Sequence, residues 1–137
     1  MEVIIADNYE EMSRISAEMI AAEIKKKHDL VLGLATGDTP LGAYKELVKL
    51  HKNEGLDFSK VTTFNLDEYV GLAPLNRNSY NYFMKVNLFD QININMANVY
   101  VPQGNTDDPE IFCGWYEEKI KEHGGIDLQI LGIGRDG

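Results

Sequence analysis

Apolar residues along this chain alternate between short continuous runs and stripes with helical spacing. Val3 to Ala6 is a short apolar run and reads as a first strand. Asn8 is placed to cap a helix, with Glu11 three residues on in a box-like position. Met12, Ile15, Met19, Ile20 and Ile24 follow at spacings of three to four and predict one apolar helical face. Lys25, Lys26 and Lys27 close that helix, where cations suit the negative end of the dipole. Leu30 to Leu34 is a continuous apolar strand of the kind buried on both faces. After the loop Ala35-Thr36-Gly37-Asp38-Thr39, Thr39 is expected as N-cap and Pro40 as the first helical residue. Leu41, Tyr44, Leu47, Val48 and His51 share the next helical face, and Gly55 lies just past its end.

Val61 to Leu66 predicts a third strand, ending at Asp67-Glu68-Tyr69. A helix is expected from about Ser79 to Phe89, and a weaker strand at Val99-Tyr100-Val101. Asp108 and Pro109 open another helix that carries Phe112, Trp115, Tyr116 and Ile120 and ends near Gly124. Asp127 to Gly132 predicts a last strand. Strands and helices alternate, which specifies an α/β fold: a Rossmann-like, doubly wound, mostly parallel sheet between two helical layers. A strand directly before Arg135-Asp136-Gly137 has no helix after it to cover it, so the fold is expected to be incomplete, through truncation of the chain. Residues 1–137 show no repeat, low-complexity tract or linker and read as part of one domain.

Composition narrows the function. A length of 137 residues with 44% hydrophobic content suits one domain with a real core. Thirteen basic against 22 acidic residues give a net charge of −9. That balance argues against a nucleic-acid partner, which needs a basic patch. It leaves room for a small anion, because backbone N–H groups can hold a phosphate locally. Cys113, the single cysteine, excludes an intrachain disulfide and is read as a small helix-packing residue. The N-terminus lacks a signal-peptide pattern, and no apolar run approaches the ~20 residues of a membrane helix. A reduced cytoplasmic protein without membrane partners is expected.

In open α/β sheets, ligands bind beyond the carboxyl ends of the strands. Three polar segments are expected there: Thr36 to Thr39, Asp67 to Tyr69, and Gly132 to Gly137. Thr36, Gly37, Asp38 and Thr39 read equally as a phosphate cradle or as a tight connection. The cradle reading uses the glycine, two hydroxyls and a helix N-terminus. No Gly-Lys-Ser/Thr follows, so this is not a Walker loop. Asp67 has the chemistry of a general base on a carbon acid. Taken alone, Asp67-Glu68 is better read as a solvated turn or a cap. His28, His51 and His123 show no metal-ligand spacing and read as surface or structural residues.

Together, LGLATGDTPLG, VTTFNLDEYVGL, NSYNYFM and LQILGIGRDG, in this order and spacing, resemble the glucosamine-6-phosphate deaminase family over essentially the whole chain. The resemblance implies conversion of glucosamine 6-phosphate to fructose 6-phosphate and ammonia, in amino-sugar catabolism. It implies Asp67 as the base that shuttles a proton between C2 and C1. It implies Asp136 as the acid that orients a ring-opening histidine, and the loop from Thr36 to Thr39 as the phosphate site. Glu68 is taken with these as a substrate-binding residue. The partner is a small sugar phosphate, and a homo-oligomer stays open. No metal or organic cofactor is implied, because the sugar's own carbonyl and amine serve as the electron sink. The family's histidine, a glutamate and most phosphate-neutralising cations fall beyond Gly137. Asp38 departs from the glycine or small hydroxyl residue usual there and is expected to point away or to cap the helix. The alternatives are a non-catalytic sugar-phosphate-binding module and a 6-phosphogluconolactonase-like hydrolase on the same fold.

Overall fold

The buried-type runs Val31–Leu34 and Thr62–Asn65 form the centre of the sheet, because every residue in both is buried. The structure is a computed structural model and describes residues 2–133. Its helices and strands are α1 (Tyr9–Lys26), β1 (Val31–Leu34), α2 (Asp38–Glu54), β2 (Thr62–Asn65), α3 (Tyr80–Asn87), β3 (Val99–Tyr100), α4 (Pro109–Glu122) and β4 (Leu128–Gln129). Two 3-10 turns, Phe89–Gln91 and Met96–Asn98, lie between α3 and β3. Among the described residues the strands form one sheet in the order β3-β2-β1-β4, and every pair is parallel. Parallel neighbours need a crossover, and α2, α3 and α4 supply them.

The crossovers through α2 and α3 step outward from β1 to β3. The crossover through α4 returns to the far side of β1. The winding direction therefore reverses between β1 and β4, which makes that boundary the switch point of the sheet. Side-chain alternation splits the strand residues between two cores. Leu32 and Leu34 pack with Ala17, Ile20 and Ile24 of α1, Tyr44 and Leu47 of α2, and Met84 of α3. Val31 and Phe64 pack on the opposite face with Tyr116 of α4, joined by Tyr100, Phe112 and Ile120. This is the three-layer α/β arrangement expected from the alternation of elements.

Several local expectations are corrected. Val3 to Ala6 is not a strand. Val3 and Ile5 are 73% and 91% exposed, and the segment finds no ladder partner among the described residues. A strand needs a neighbour to satisfy its backbone groups, so an apolar run alone does not make one. The buried stripe of α1 is Ser13, Ala17, Ile20, Ala21 and Ile24, and Met19 lies outside it. The small residues win because α1 and α2 pack closely. A Cβ on Gly42 would fall 2.1 Å from the Ser13 hydroxyl oxygen. The start of α2 also differs. The helix begins at Asp38 with Gly37 as N-cap, and Thr39 and Pro40 lie inside the first turn. The Asn8 cap forms as expected, its side chain accepting from Glu11 N at 2.8 Å. β4 is shorter than the pattern suggested. Asp127 N and Ile130 N still donate to Val31 O and Gly33 O, but the regular ladder covers only Leu128–Gln129. Cys113 is exposed rather than packed.

Candidate active site

β1 delivers the chain to Ala35, whose backbone is held on both sides by one side chain. The Tyr44 hydroxyl accepts from Ala35 N at 3.2 Å and donates to Ala35 O at 2.5 Å. Tyr44 is fully buried, and burial pushes its phenol well above the ordinary range, so it stays protonated. The chain then turns at Gly37, whose φ of 102° and ψ of −178° lie in a region essentially restricted to glycine. No side chain caps α2. The amides of its first turn are therefore not taken up by a cap, as an anion-binding helix start requires. Tyr9 of α1 braces this turn. Its hydroxyl donates to Asp38 O at 2.5 Å and accepts from Gly42 N at 2.8 Å. Thr36 is half-buried, and Gly37, Asp38 and Thr39 are exposed. Asp38 lines a surface depression with Tyr9, Met12, Leu41 and Lys45. A Cβ on Gly132 would lie 3.4 Å from Thr39 Cβ, so the exit of β4 passes directly beside this loop.

β2 ends at Asn65, which is buried and whose Oδ1 has no hydrogen-bond partner among the described residues. Tyr116 crosses from α4 to tie β2 to β3, its single hydroxyl proton shared between Asn65 O at 2.9 Å and Tyr100 O at 3.0 Å. Asp67 follows at the rim. Partial burial, and next the charge of Glu68, raise its carboxyl above the ordinary range. Glu68 lies the other way. Burial alone would raise it, but hydrogen bonds from Tyr80, Asn81 and Tyr69 outweigh burial and lower it. Tyr69 N and Tyr80 N donate to its Oε1 at 2.9 Å each. Asn81 N and Nδ2 donate to Oε2 at 2.9 and 3.0 Å. The surroundings thus shift two adjacent carboxyls in opposite directions.

The sequence pattern marked the string Asn78 to Met84 without giving any member a role. The structure places Tyr80 between the two loops. Its ring lies 4.7 Å from that of Tyr69. Its phenol is raised, chiefly by the Tyr69 contact, then by burial and by the charges of Tyr69 and Asp67, with the Thr36 hydroxyl acting the other way. Thr36, Asp67, Tyr69 and Tyr80 therefore share one neighbourhood at the sheet edge. The spacing Ser79-Tyr80-Asn81 after a turn was the available signal, since Ser79 caps α3 through Tyr82 N at 3.0 Å. A cavity of about 310 Å³ opens beside Asp67 and Glu68, walled by Leu66, Val70, Pro102, Phe112 and Tyr116. Asp136 lies outside the described residues. His51 Nδ1 contacts Leu56 O at 2.7 Å, and His123 Nδ1 contacts Lys119 O at 2.8 Å, so both serve the scaffold.

The uncapped start of α2 and the raised carboxyl of Asp67 lie at the ends of adjacent strands, on the side of a parallel α/β sheet where such folds hold small ligands. The chain belongs to the family of glucosamine-6-phosphate isomerases and 6-phosphogluconolactonases, whose model matches residues 6–137. It is 56% identical over its whole length to a glucosamine-6-phosphate deaminase of Clostridium botulinum (strain Langeland / NCTC 10281 / Type F), and covers 56% of that protein. A solved monomeric glucosamine-6-phosphate deaminase superposes with a TM-score of 0.97 at 46% identity, over 100% of this chain and 57% of that one. A 6-phosphogluconolactonase from Thermotoga maritima shares the fold, with a TM-score of 0.76 at 22% identity, over 96% of this chain and 59% of that one. The chain thus spans little more than half the length of these relatives.

Proposed function

We propose that the protein carrying this chain converts glucosamine 6-phosphate to fructose 6-phosphate and ammonia, and that residues 1–137 form the N-terminal part of its single catalytic domain. The observation that carries this reading is the pairing of Asp67, with its raised carboxyl, and the uncapped turn Gly37–Thr39 on adjacent strand ends. The turn takes the substrate phosphate through backbone amides and the hydroxyls of Thr36 and Thr39. Asp67 removes the C2 proton of the open-chain aldehyde, giving an enolamine, and returns it to C1. The product is an imine at C2. Water then replaces the nitrogen as ammonia, which makes the overall reaction a hydrolytic deamination coupled to an isomerisation. Asp136 acts on ring opening, through a histidine expected beyond Gly137. The setting is the cytoplasm, in amino-sugar breakdown.

The test is an assay of the intact protein with glucosamine 6-phosphate and 6-phosphogluconolactone side by side. Ammonia and fructose 6-phosphate from the first substrate are expected. Turnover of the lactone alone would move the protein to the other branch of the family. Binding of glucosamine 6-phosphate without product would make it a sugar-phosphate-binding module. The identity of 46% to the solved deaminase, against 22% to the lactonase, favours the deaminase branch.

A further inference from the structure

We propose that Glu68 is a positioning residue of this site: anchored by the first turn of α3, its carboxylate holds Asp67 in place at the rim of the crevice. A carboxylate offers about four lone-pair positions. The four donors on Glu68, Tyr69 N, Tyr80 N, Asn81 N and Asn81 Nδ2, fill them at 2.9 to 3.0 Å. No acceptor capacity remains for a substrate hydroxyl, so Glu68 acts through its neighbours rather than by touching the sugar. Bonds to an ionised acceptor are stronger than neutral ones, and three of these donors come from the start of a helix, where negative charge is favoured.

The surrounding geometry makes this anchor matter for Asp67. Residues 66–70 form no helix or strand, and Leu66 and Val70 are 53% and 86% exposed, so side-chain burial does little to fix the loop. Asp67 is one residue from the end of β2 on one side, counting Leu66, and adjacent to the clamped Glu68 on the other. The far end of the loop is pinned separately. Gly71 N donates to Gly104 O at 2.6 Å, and a Cβ on Gly104 would fall 2.0 Å from Tyr69 O. Asn81 Nδ2 also donates to Pro102 O at 3.0 Å, so one amide joins Glu68, α3 and the segment before α4. The groups whose charge acts with that of Asp67 are Glu68 on its own loop and Tyr80 of α3, and Glu117 of α4 lines the same cavity. Glu68 is the charged one that raises the Asp67 carboxyl.

This inference rests on the proposed deaminase reading, and its test separates the two. In the intact protein, the Asp67 carboxyl is titrated by NMR with ¹³C-labelled aspartate in wild type and in Glu68→Gln, which removes the charge and two of the acceptor positions. That readout does not depend on which substrate is turned over. A lower Asp67 midpoint in Glu68→Gln is expected. With glucosamine 6-phosphate, a fall in kcat of about 10-fold or more is expected, with the acid limb of the rate profile moving to lower pH and KM changing less than kcat. If Glu68→Gln fails to fold by circular dichroism, Glu68→Asp carries the test, since it keeps the charge but shortens the reach. It should lose kcat while the Asp67 midpoint stays near wild type. A wild-type midpoint and kcat in Glu68→Gln, or wild-type kcat in Glu68→Asp, would overturn the proposal. So would a loss confined to KM, which would return Glu68 to direct substrate contact. An inactive wild type would instead sink the deaminase reading, while the NMR titration still decides the role of Glu68.

Discussion

The loop that leaves β1 and the loop that leaves β2 lie side by side at the carboxyl end of the sheet, but different parts of the chain shape them. Backbone shapes the first: Gly37 adopts a conformation that side chains resist, and no side chain caps the helix behind it. Side chains shape the second: Glu68 uses up the first amides of α3. The start of α2 keeps donors for an anion, and the start of α3 spends its donors on a carboxylate of its own chain. Two helix N-termini with the same dipole thus differ in what fills them, and only an unfilled one has amides free for an anion. Both loops depend on tyrosines from outside themselves, Tyr9 and Tyr44 for the first, Tyr80 and Tyr116 for the second.

If this division holds, damage to the second loop should appear in the rate and damage to the first in binding. The largest effect is expected from Asp67→Asn in the intact protein, a fall of about 10²–10⁴-fold in kcat with KM little changed. Steady-state kinetics with glucosamine 6-phosphate measures it, and near-normal turnover would remove Asp67 from the base role. Gly37→Ala comes next. Nothing lies within 4 Å of the added Cβ, so the cost is torsional. A stability loss of about 1–3 kcal/mol is expected from urea unfolding, together with a raised KM. An unchanged KM would mean that the β1 loop does not hold the phosphate.

Tyr9→Phe should act in the same direction but more weakly. It removes a hydroxyl that both donates to Asp38 O and accepts from Gly42 N, worth about 1 kcal/mol in net stability. A KM increase without loss of kcat would place Tyr9 with the binding loop, and a kcat effect would blur the comparison. The smallest effect belongs to the opposite edge of the sheet, where Asp127 accepts from Lys27 Nζ at 2.7 Å and from Val31 N at 2.8 Å. The Lys27 contact first, then the Val31 amide, hold this carboxyl below the ordinary range. A lowered folded value stabilises the fold above the unfolded value of about 3.9 and is lost as pH falls through the folded value. Asp127→Asn should therefore lower Tm at pH 7 by at most about 4 °C, because the pair is solvent-exposed. The difference from wild type should vanish in acid, and one that persists there would make the contact structural rather than electrostatic.

Much of the frame was legible in residue order. The runs at Leu30–Leu34 and Val61–Leu66 contain the central strands Val31–Leu34 and Thr62–Asn65, because burial on both faces favours continuous apolar or β-branched residues. The helix openings at Asn8 and Asp108 follow local rules, and each side chain accepts an amide of its own first turn, whereas the cap expected at Thr39 does not form. Asp67 stood out through a four-string resemblance, although its local chemistry favoured a turn. Tyr9, Tyr80 and the clamp on Glu68 were not legible, because each joins residues far apart in sequence. Tyr9 reaches Gly42, 33 positions away, and Glu68 reaches Asn81, 13 positions away. Val3 to Ala6 failed as a strand for the same reason in reverse. Its pattern was right, but a strand depends on a partner that the pattern does not contain.

By itself, then, the sequence determined the two central strands, the capped start of α1 and which family the chain joins. Those properties reside in short windows, where side-chain size, backbone torsion and local hydrogen bonding act within a few residues. Only the tertiary structure decided that α2 begins without a side-chain cap while α3 begins with amides filled, and that two neighbouring carboxyls are shifted in opposite directions. Burial, charge and donor count at a point in space depend on every segment that reaches it, and parallel pairing brings β1, β2 and β4 together from distant parts of the chain.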